Sequence, residues 1–379
     1  MARLGDVCTI SSSNTPILDN QIWLLNLDMV EQQTGNIISY NYVGHDALNG
    51  SIIQFDTDNV LYSKLRPNLN KVVVPDRSGF VTSEMLPLKP DTSVLCREYL
   101  AAYLRSDAFV AWAVSKTAGA KMPRLGTKVL LDKEIPLPPL KEQRRIAAML
   151  DKISDLIAKR RAQSDKLDLL VKSRFVEMFG DLKRNTKNWE NLSFDDCFDI
   201  TSSKRILKSE WKATGIPFLR VRDMVQLATT GKMNSEFFVS EEYYATLSDT
   251  DGIPMEGDIL VSATSTLGKC YIVKKGERFY FKDADVLRFR AKRNINPVFF
   301  VELMKTDYIE EQILKTLGIT TVAHFTIKAA KKIYLRFPDI NLQNQFADFF
   351  EHTEKSKSTI RQSLDKLETL KKALMQHYF

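Results

Sequence analysis

Between Ile146 and Met178 the apolar residues Ile146, Leu150, Ile153, Ile157, Leu167, Val171 and Met178 all fall on one frame of alternating steps of four and three. This is the heptad rhythm of a helix that packs against another helix. The helix opens in Pro138-Pro139-Leu140-Lys141-Glu142-Gln143-Arg144-Arg145-Ile146-Ala147. The two prolines stop the strand-like run Glu134–Leu137 and suit the first helical turn. Gly180, after Phe179, is a helix stop. Some 38 residues at 1.5 Å each give a rod of roughly 57 Å.

The rod has a copy two hundred residues later, in Pro338-Asp339-Ile340-Asn341-Leu342-Gln343-Asn344-Gln345-Phe346-Ala347. Pro138, Gln143 and Ala147 match Pro338, Gln343 and Ala347 without a gap. Near the ends, Asp165-Lys166-Leu167, Leu170, Lys172 and Phe179 recur as Asp365-Lys366-Leu367, Leu370, Lys372 and Phe379. Proline and glutamine matches are not effects of helix composition, so they indicate an internal duplication.

The segments before each rod read as mixed domains. In residues 1–137 the runs Ile22–Leu27, Asn59–Tyr62, Lys71–Val74 and Phe80–Leu88 predict strands, and Glu98–Val114 predicts one buried helix. Thr117–Gly126, punctuated by glycine and proline, predicts a loop. Asp181–Trp189 reads as a polar linker. Residues 181–337 then repeat the plan in outline: Phe194–Ser202 echoes Leu4–Ser12, Pro217–Val221 echoes Trp23–Leu27, Asp258–Ser262 echoes Asn59–Ser63, and Phe299–Ile309 echoes Tyr99–Phe109. The expected organisation is therefore a head at 1–137, a rod at 138–180, a second head at 181–337 and a second rod at 338–379.

If a pseudo-twofold axis relates the halves, the rods are antiparallel. The register that satisfies it pairs Ile146 with Tyr378 and Met178 with Phe346. The expected interface comprises Ile146, Leu150, Ile153, Ile157, Leu167 and Val171 with Phe346, Phe350, Ile360, Leu364, Leu367 and Leu374. Lys357 and Lys371 also fall in this seam, where polar residues cost stability but fix register. The expected fold class is α+β: two mixed α/β globular domains joined by two long helices in an antiparallel coiled coil. Such a rod pair is a ruler, with a length of about 17 base pairs of duplex as its upper bound.

Composition narrows the function. The 379 residues contain 54 Lys and Arg against 47 Asp and Glu, a net charge of +7 with a pI near 9.0. This favours an anionic partner such as nucleic acid. The four cysteines lie far apart, which suits free thiols in a cytoplasmic protein. No apolar run has membrane-spanning length, and Met1–Asp6 lacks a signal-peptide core. The stretch Ala263-Thr264-Ser265-Thr266-Leu267-Gly268-Lys269-Cys270 resembles a phosphate-cradling loop. Ala replaces its first glycine, however, and Cys replaces the Mg²⁺-binding hydroxyl, so a strand-loop-strand with an exposed lysine is expected. The histidines His45, His324, His352 and His377 have no metal-ligand spacing. No Asn/Asp-Pro-Pro-aromatic tetrapeptide of amino-methyltransferases occurs, and Asp76 and Glu84 match a nuclease pattern only as chance would allow. No catalytic residues and no metal are expected.

Basic residues in turns are the candidate DNA contacts, since arginine and lysine neutralise phosphate and arginine also reads guanine. In the first head they are Lys64, Arg66, Lys71, Lys121, Arg124 and Lys128. In the second they are Lys204, Arg205, Lys208, Arg220, Arg222 and Lys269, with His324 in the loop that matches Arg124. The first rod adds ten Lys and Arg against six Asp and Glu between Lys141 and Phe179, which suits a solvated face.

The Leu137-Pro138-Pro139-Leu140-Lys141-Glu142-Gln143-Arg144-Arg145-Ile146-Ala147 junction, its rod, the degenerate copy from Pro338 and the two dissimilar heads resemble the specificity subunits of type I restriction–modification enzymes. The second copy departs from the pattern, with Phe337-Pro338-Asp339-Ile340 in place of a double proline. The resemblance implies that each head is a target recognition domain reading half of a bipartite DNA site, with the rods fixing the unread spacer. It implies two DNA-methyltransferase (modification) subunits as partners, which bind S-adenosylmethionine themselves and methylate adenine, and motor–nuclease subunits that join for cleavage. It implies no membrane and a role in phage defence. The alternatives from the residues alone are a free-standing bipartite DNA-binding regulator and a coiled-coil scaffold with no nucleic-acid role.

Overall fold

The structure is a computed structural model that describes residues 1–379 except 11–20, 45, 47–51, 249–251, 265 and 318–323. His45, Ser265 of the phosphate-loop look-alike, and the Ser11-Ser12 end of the Leu4–Ser12 echo lie outside the described residues. By internal contact the chain divides into residues 1–163 with 360–379, and residues 164–359. The division falls inside both rods. Each compact unit therefore holds one head, the start of one rod and the end of the other.

The rods are continuous helices, Leu140–Phe179 and Ile340–Tyr378. Within the first unit they run antiparallel. Arg145 Nη2 donates to the Tyr378 hydroxyl at 3.0 Å, and Arg161 Nη2 meets Glu368 Oε1 at 2.8 Å. Ile146, Ala147 and Leu150 share a core with Leu374, Met375 and Tyr378. The second unit shows the same crossing. Lys357 Nζ meets Asp168 Oδ1 at 2.7 Å, and the Phe346 ring lies 5.3 Å from Phe175 and 5.6 Å from Phe179. Of the expected interface, Ile146, Leu150, Ile153, Ile157, Val171 and Phe346 are buried, and Leu167, Phe350, Ile360, Leu364, Leu367 and Leu374 are half-buried. Phe175, outside the heptad list, is also buried, because a straight helix drifts off a strict seven-residue repeat and here turns the ring toward the head.

Two repeated residues of the rods explain themselves in the packing. Gln143 and Gln343 are fully buried in the first turn of each rod. Gln143 Oε1 accepts the backbone N–H of Cys96 at 2.8 Å, and its Nε2 donates to the carbonyls of Val94 and Pro138, both at 2.8 Å. Gln343 Oε1 accepts from Asn296 N at 2.9 Å, and its Nε2 donates to Pro338 O at 2.8 Å. Cys96 and Asn296 are the N-caps of the head helices Arg97–Leu104 and Pro297–Leu303. Each glutamine thus satisfies an orphan helix-end N–H and ties the rod to its head. The matched terminal phenylalanines do the same at the other ends: Phe379 packs on Tyr99 at 5.3 Å, and Phe179 on Phe299 at 4.7 Å.

The heads share a topology. In the first, an antiparallel sheet runs Cys8–Ile10, Met85–Pro90, Val60–Ser63, Val72–Val73. A second sheet runs Tyr42–Val43, Ile22–Leu25, Gly79–Thr82, Ile52–Phe55, with Ile22–Leu25 and Gly79–Thr82 parallel through Leu24↔Phe80. The second head repeats the first sheet as Phe198–Thr201, Val286–Ala291, Ile259–Ser262, Cys270–Ile272. Its other sheet keeps the parallel pair, as Phe218↔Tyr280. A helix, Val221–Thr230, follows its strand Ile216–Leu219, where the first head has only the 3-10 turn Leu27–Met29.

Several expectations are corrected in detail. Glu98–Val114 is two helices, Arg97–Leu104 and Asp107–Ser115. The buried Ser106 separates them, its hydroxyl accepting from Phe109 N at 3.2 Å as an N-cap. The Phe299–Ile309 echo is likewise split into Pro297–Leu303 and Asp307–Thr316. Phe80–Leu88 is two strands, Gly79–Thr82 and Met85–Pro90, joined by a turn at Ser83-Glu84. Ile22–Leu27, Asn59–Tyr62, Lys71–Val74 and Glu134–Leu137 shorten or shift to Ile22–Leu25, Val60–Ser63, Val72–Val73 and Glu134–Ile135. The Thr117–Gly126 loop contains a two-stranded ribbon, Thr117–Ala118 against Arg124–Leu125. The linker after Gly180 is folded back: Trp189 Nε1 donates to Phe179 O at 2.9 Å. Gly180 itself adopts φ +75°, and a Cβ there would come within 2.5 Å of Thr186 Oγ1, so the rod's stop requires glycine.

Candidate nucleic-acid interface

In the first head, backbone hydrogen bonds gather three segments that are far apart in sequence. Lys64 N donates to Glu84 O at 3.0 Å, Leu125 N to Lys64 O at 2.9 Å, and Arg66 N to Pro123 O at 2.8 Å. Leu65 and Arg124 add an isolated bridge. The Lys64–Asn70 turn, the Ser83-Glu84 turn and the ribbon thus form one platform. Arg66 and Asn70 take left-handed backbone conformations (φ 50° and 49°) around the short helical turn Pro67–Leu69. Lys64 is half-buried, and Arg66 and Lys121 are exposed; among the described residues none of the three has an ion pair. Arg124 grips Glu84 side-on, Nε to both carboxylate oxygens and Nη2 to Oε1, all at 3.1 Å. That pairing raises the Arg124 pKa further above its ordinary range.

Two candidates stand apart from the platform. The Lys71 ammonium turns inward to the Leu27 carbonyl. Burial lowers its pKa against the pull of Asp28, so its charge serves the head's own packing. Lys128 lies exposed on the helix Thr127–Leu131, which packs against Leu4–Val7.

The second head builds the equivalent junction from different residues. Ser262 N donates to Lys269 O at 2.9 Å, Lys269 N returns to Ser262 Oγ at 2.9 Å, and Phe325 N donates to Ala263 O at 2.8 Å. Ile259–Ser262 and Cys270–Ile272 make the expected strand-loop-strand, and Lys269 is exposed on it. His324, half-buried, sits beside Phe325 where the first head has Arg124. Further bonds extend the junction. Ala263 N donates to Asp285 O at 2.8 Å, Ala284 N to Ser202 Oγ at 2.9 Å, and Lys282 N to Leu219 O at 2.9 Å. They bring in the segments bearing Lys204, Arg205, Arg220 and Arg222, and also Lys282, which ion-pairs with Asp285. Arg220 is braced by Asp223 at 3.2 Å, Glu236 at 2.9 Å and the Phe237 ring at 4.6 Å; Arg222 shares Glu236 at 3.2 Å. Lys208 lies apart on the turn Lys208–Glu210.

Lys282 and Glu236 are members that sequence reasoning missed, and Glu84 entered it only as half of a chance nuclease match. Only the fold reveals which cation each acid holds. All four cysteines are unpaired, and burial pushes the thiols of Cys8 and Cys270 up to about 12 and that of Cys197 to about 11. Among the described residues no helix is long and apolar enough to cross a membrane.

A type I restriction enzyme EcoDI specificity subunit from Escherichia coli is 29% identical over 155 residues, 40% of this chain and 34% of that protein. The MjaVIII specificity subunit from Methanocaldococcus jannaschii is 23% identical over 323 residues, 79% of this chain and 73% of that protein. The chain thus spans about a third of one of these relatives and about three quarters of the other. A type I restriction–modification S subunit from M. genitalium shares the fold at TM-score 0.63 and 14% identity, over 100% of this chain and 95% of that one. A chain from a structural study of type I R-M complex assembly and conformational transition has TM-score 0.60 at 16% identity, over 99% and 96%. The family described as type I restriction modification DNA specificity domain matches residues 1–167 and again residues 186–369. The chain belongs to that family, and carries its domain twice.

Proposed function

We propose that this chain is the non-catalytic DNA-specificity subunit of a type I restriction–modification system, each head reading half of a bipartite site. The observation that carries the reading is the repeated junction. The same backbone scaffold, Ser63–Leu65 with Leu125 and Ser262–Ala263 with Phe325, presents two different sets of cations. Lysines and arginines on it neutralise phosphates and set the head's register on the duplex, and a two-stranded ribbon is narrow enough for a major groove. Unlike side chains on one scaffold give unlike half-sites.

The rods set the spacer. Support comes from their antiparallel crossing within each unit and from the buried glutamine that fixes each head to its rod. Two modification subunits supply adenine methylation with their own S-adenosylmethionine, and restriction subunits supply cleavage. Genome-wide methylation sequencing of a host with and without the gene tests the proposal. A gapped adenine motif that vanishes with the gene supports it. Methylation by the purified chain alone, or an unchanged methylome, rejects it.

A further inference from the structure

Glu84 is out of place on a surface that binds phosphates. It lies among Lys64, Arg66, Lys121 and Arg124, and its side chain keeps 27% of its exposure. A carboxylate there repels the DNA backbone and weakens a purely electrostatic contact. Its geometry suits another task. Glu84 occupies the Nε hydrogen of Arg124 and one hydrogen of Nη2. Of the five guanidinium N–H groups three remain, including an Nη1/Nη2 pair at the end of the fork opposite Glu84. Two parallel N–H groups on a planar fork are what guanine O6 and N7 accept in the major groove. The Arg124 side chain remains 44% exposed. It stands on a ribbon strand fixed at Leu125 N to Lys64 O and at Arg66 N to Pro123 O, so the fork is aimed before DNA arrives. The equivalent place in the second head holds His324, a smaller ring with no such fork.

We propose that Arg124 reads a guanine in the half-site of the first head, with Glu84 as the residue that positions it. The inference rests on the reading that this head binds a DNA half-site. The test uses the full chain with its cognate subunits in the host, as wild type, Arg124→Gln, Arg124→Lys and Glu84→Gln, and reads the methylated motif. Arg124→Gln should relax one guanine position in one half-site, losing about 10- to 100-fold discrimination there, and Arg124→Lys, which keeps a charged donor but not the planar fork, should relax the same position by a smaller factor. The other half-site should stay unchanged. Glu84→Gln should relax the same position by a smaller factor. If a variant abolishes methylation, the purified complex is titrated with duplexes carrying each base at each position. Flattened discrimination at one position supports the proposal, and an equal loss on every duplex overturns it. An unchanged motif with uniformly lower methylation, or a salt slope reduced by about one with letters intact, makes Arg124 a phosphate contact and also overturns it. A wild-type chain that directs no bipartite motif sinks the half-site reading itself and not the pairing.

Discussion

Gln143 and Gln343 hold their heads by nearly the same hydrogen bonds, whereas the loops Ser63–Lys71 and Ser262–Lys269 share a frame and diverge in every charge they display. In both loops the serine N–H donates to the carbonyl of a lysine, at 3.1 Å to Lys71 and 2.9 Å to Lys269. Yet the Lys71 ammonium is spent on the Leu27 carbonyl, while Lys269 is exposed. The difference separates what fixes a head on its rod from what a head offers to a partner. Buried amides tolerate little change, because an orphaned N–H costs more than a satisfied one contributes.

The comparison breaks most visibly at the glutamines. Gln143→Leu strands the Cys96 N–H and the Val94 and Pro138 carbonyls, and should cost roughly 3 kcal/mol in chemical denaturation. Gln343→Leu strands fewer groups and should cost roughly 2 kcal/mol. Equal and negligible losses would mean that the glutamines are not what seats the heads.

The lysines sharpen it. Lys269→Ala should weaken binding about equally on all DNA sequences and lower the salt slope by about one. Lys71→Ala should leave the salt slope intact and lower stability by about 1 kcal/mol through the lost hydrogen bond. The reverse pattern would undo the distinction between an inward and an outward lysine.

Smaller still is Lys357, buried in the seam where the first rod has Ile157. Its hydrogen bonds to Asp168 and Glu354 outweigh burial and raise its pKa. Replacing the charge with a shape-matched apolar group, Lys357→Ile, should change stability by no more than about 1 kcal/mol in either direction. A larger loss on thermal melting would show that the ion pair holds the rods together rather than setting their register.

The smallest effect is at Asp151, whose pKa is raised because burial outweighs the attraction of Arg105. A raised carboxylate favours the fold below its unfolded pKa and loses that contribution as pH rises through the folded value. Asp151→Asn should therefore melt slightly higher than wild type at neutral pH. That gain should vanish below the ordinary carboxylate range.

The rods were legible in the sequence because heptads, flanking prolines and a glycine stop are local signals. So were the matches Gln143/Gln343 and Phe179/Phe379, whose packing roles only the fold explains. The heads were legible less well. Their parallel pair, Leu24 with Phe80, joins segments more than fifty residues apart, and no local pattern encodes that. The break at Ser106 was hidden because the apolar run continues on both sides, and a single buried hydroxyl decides where one helix ends. Among the candidate contacts, sequence could find cations but not which of them a carbonyl or carboxylate already holds. Lys71 and Arg124 differ from Lys269 and Arg66 only through residues distant along the chain.

The central claim, that two unlike readers are spaced by the rods, is tested most directly by lengthening both. One heptad is inserted within residues 157–168 and one at the matching site of the second rod, and the methylome is sequenced. Both half-site sequences should persist with a longer gap between them. An unchanged gap, or new letters in either half-site, would contradict the account.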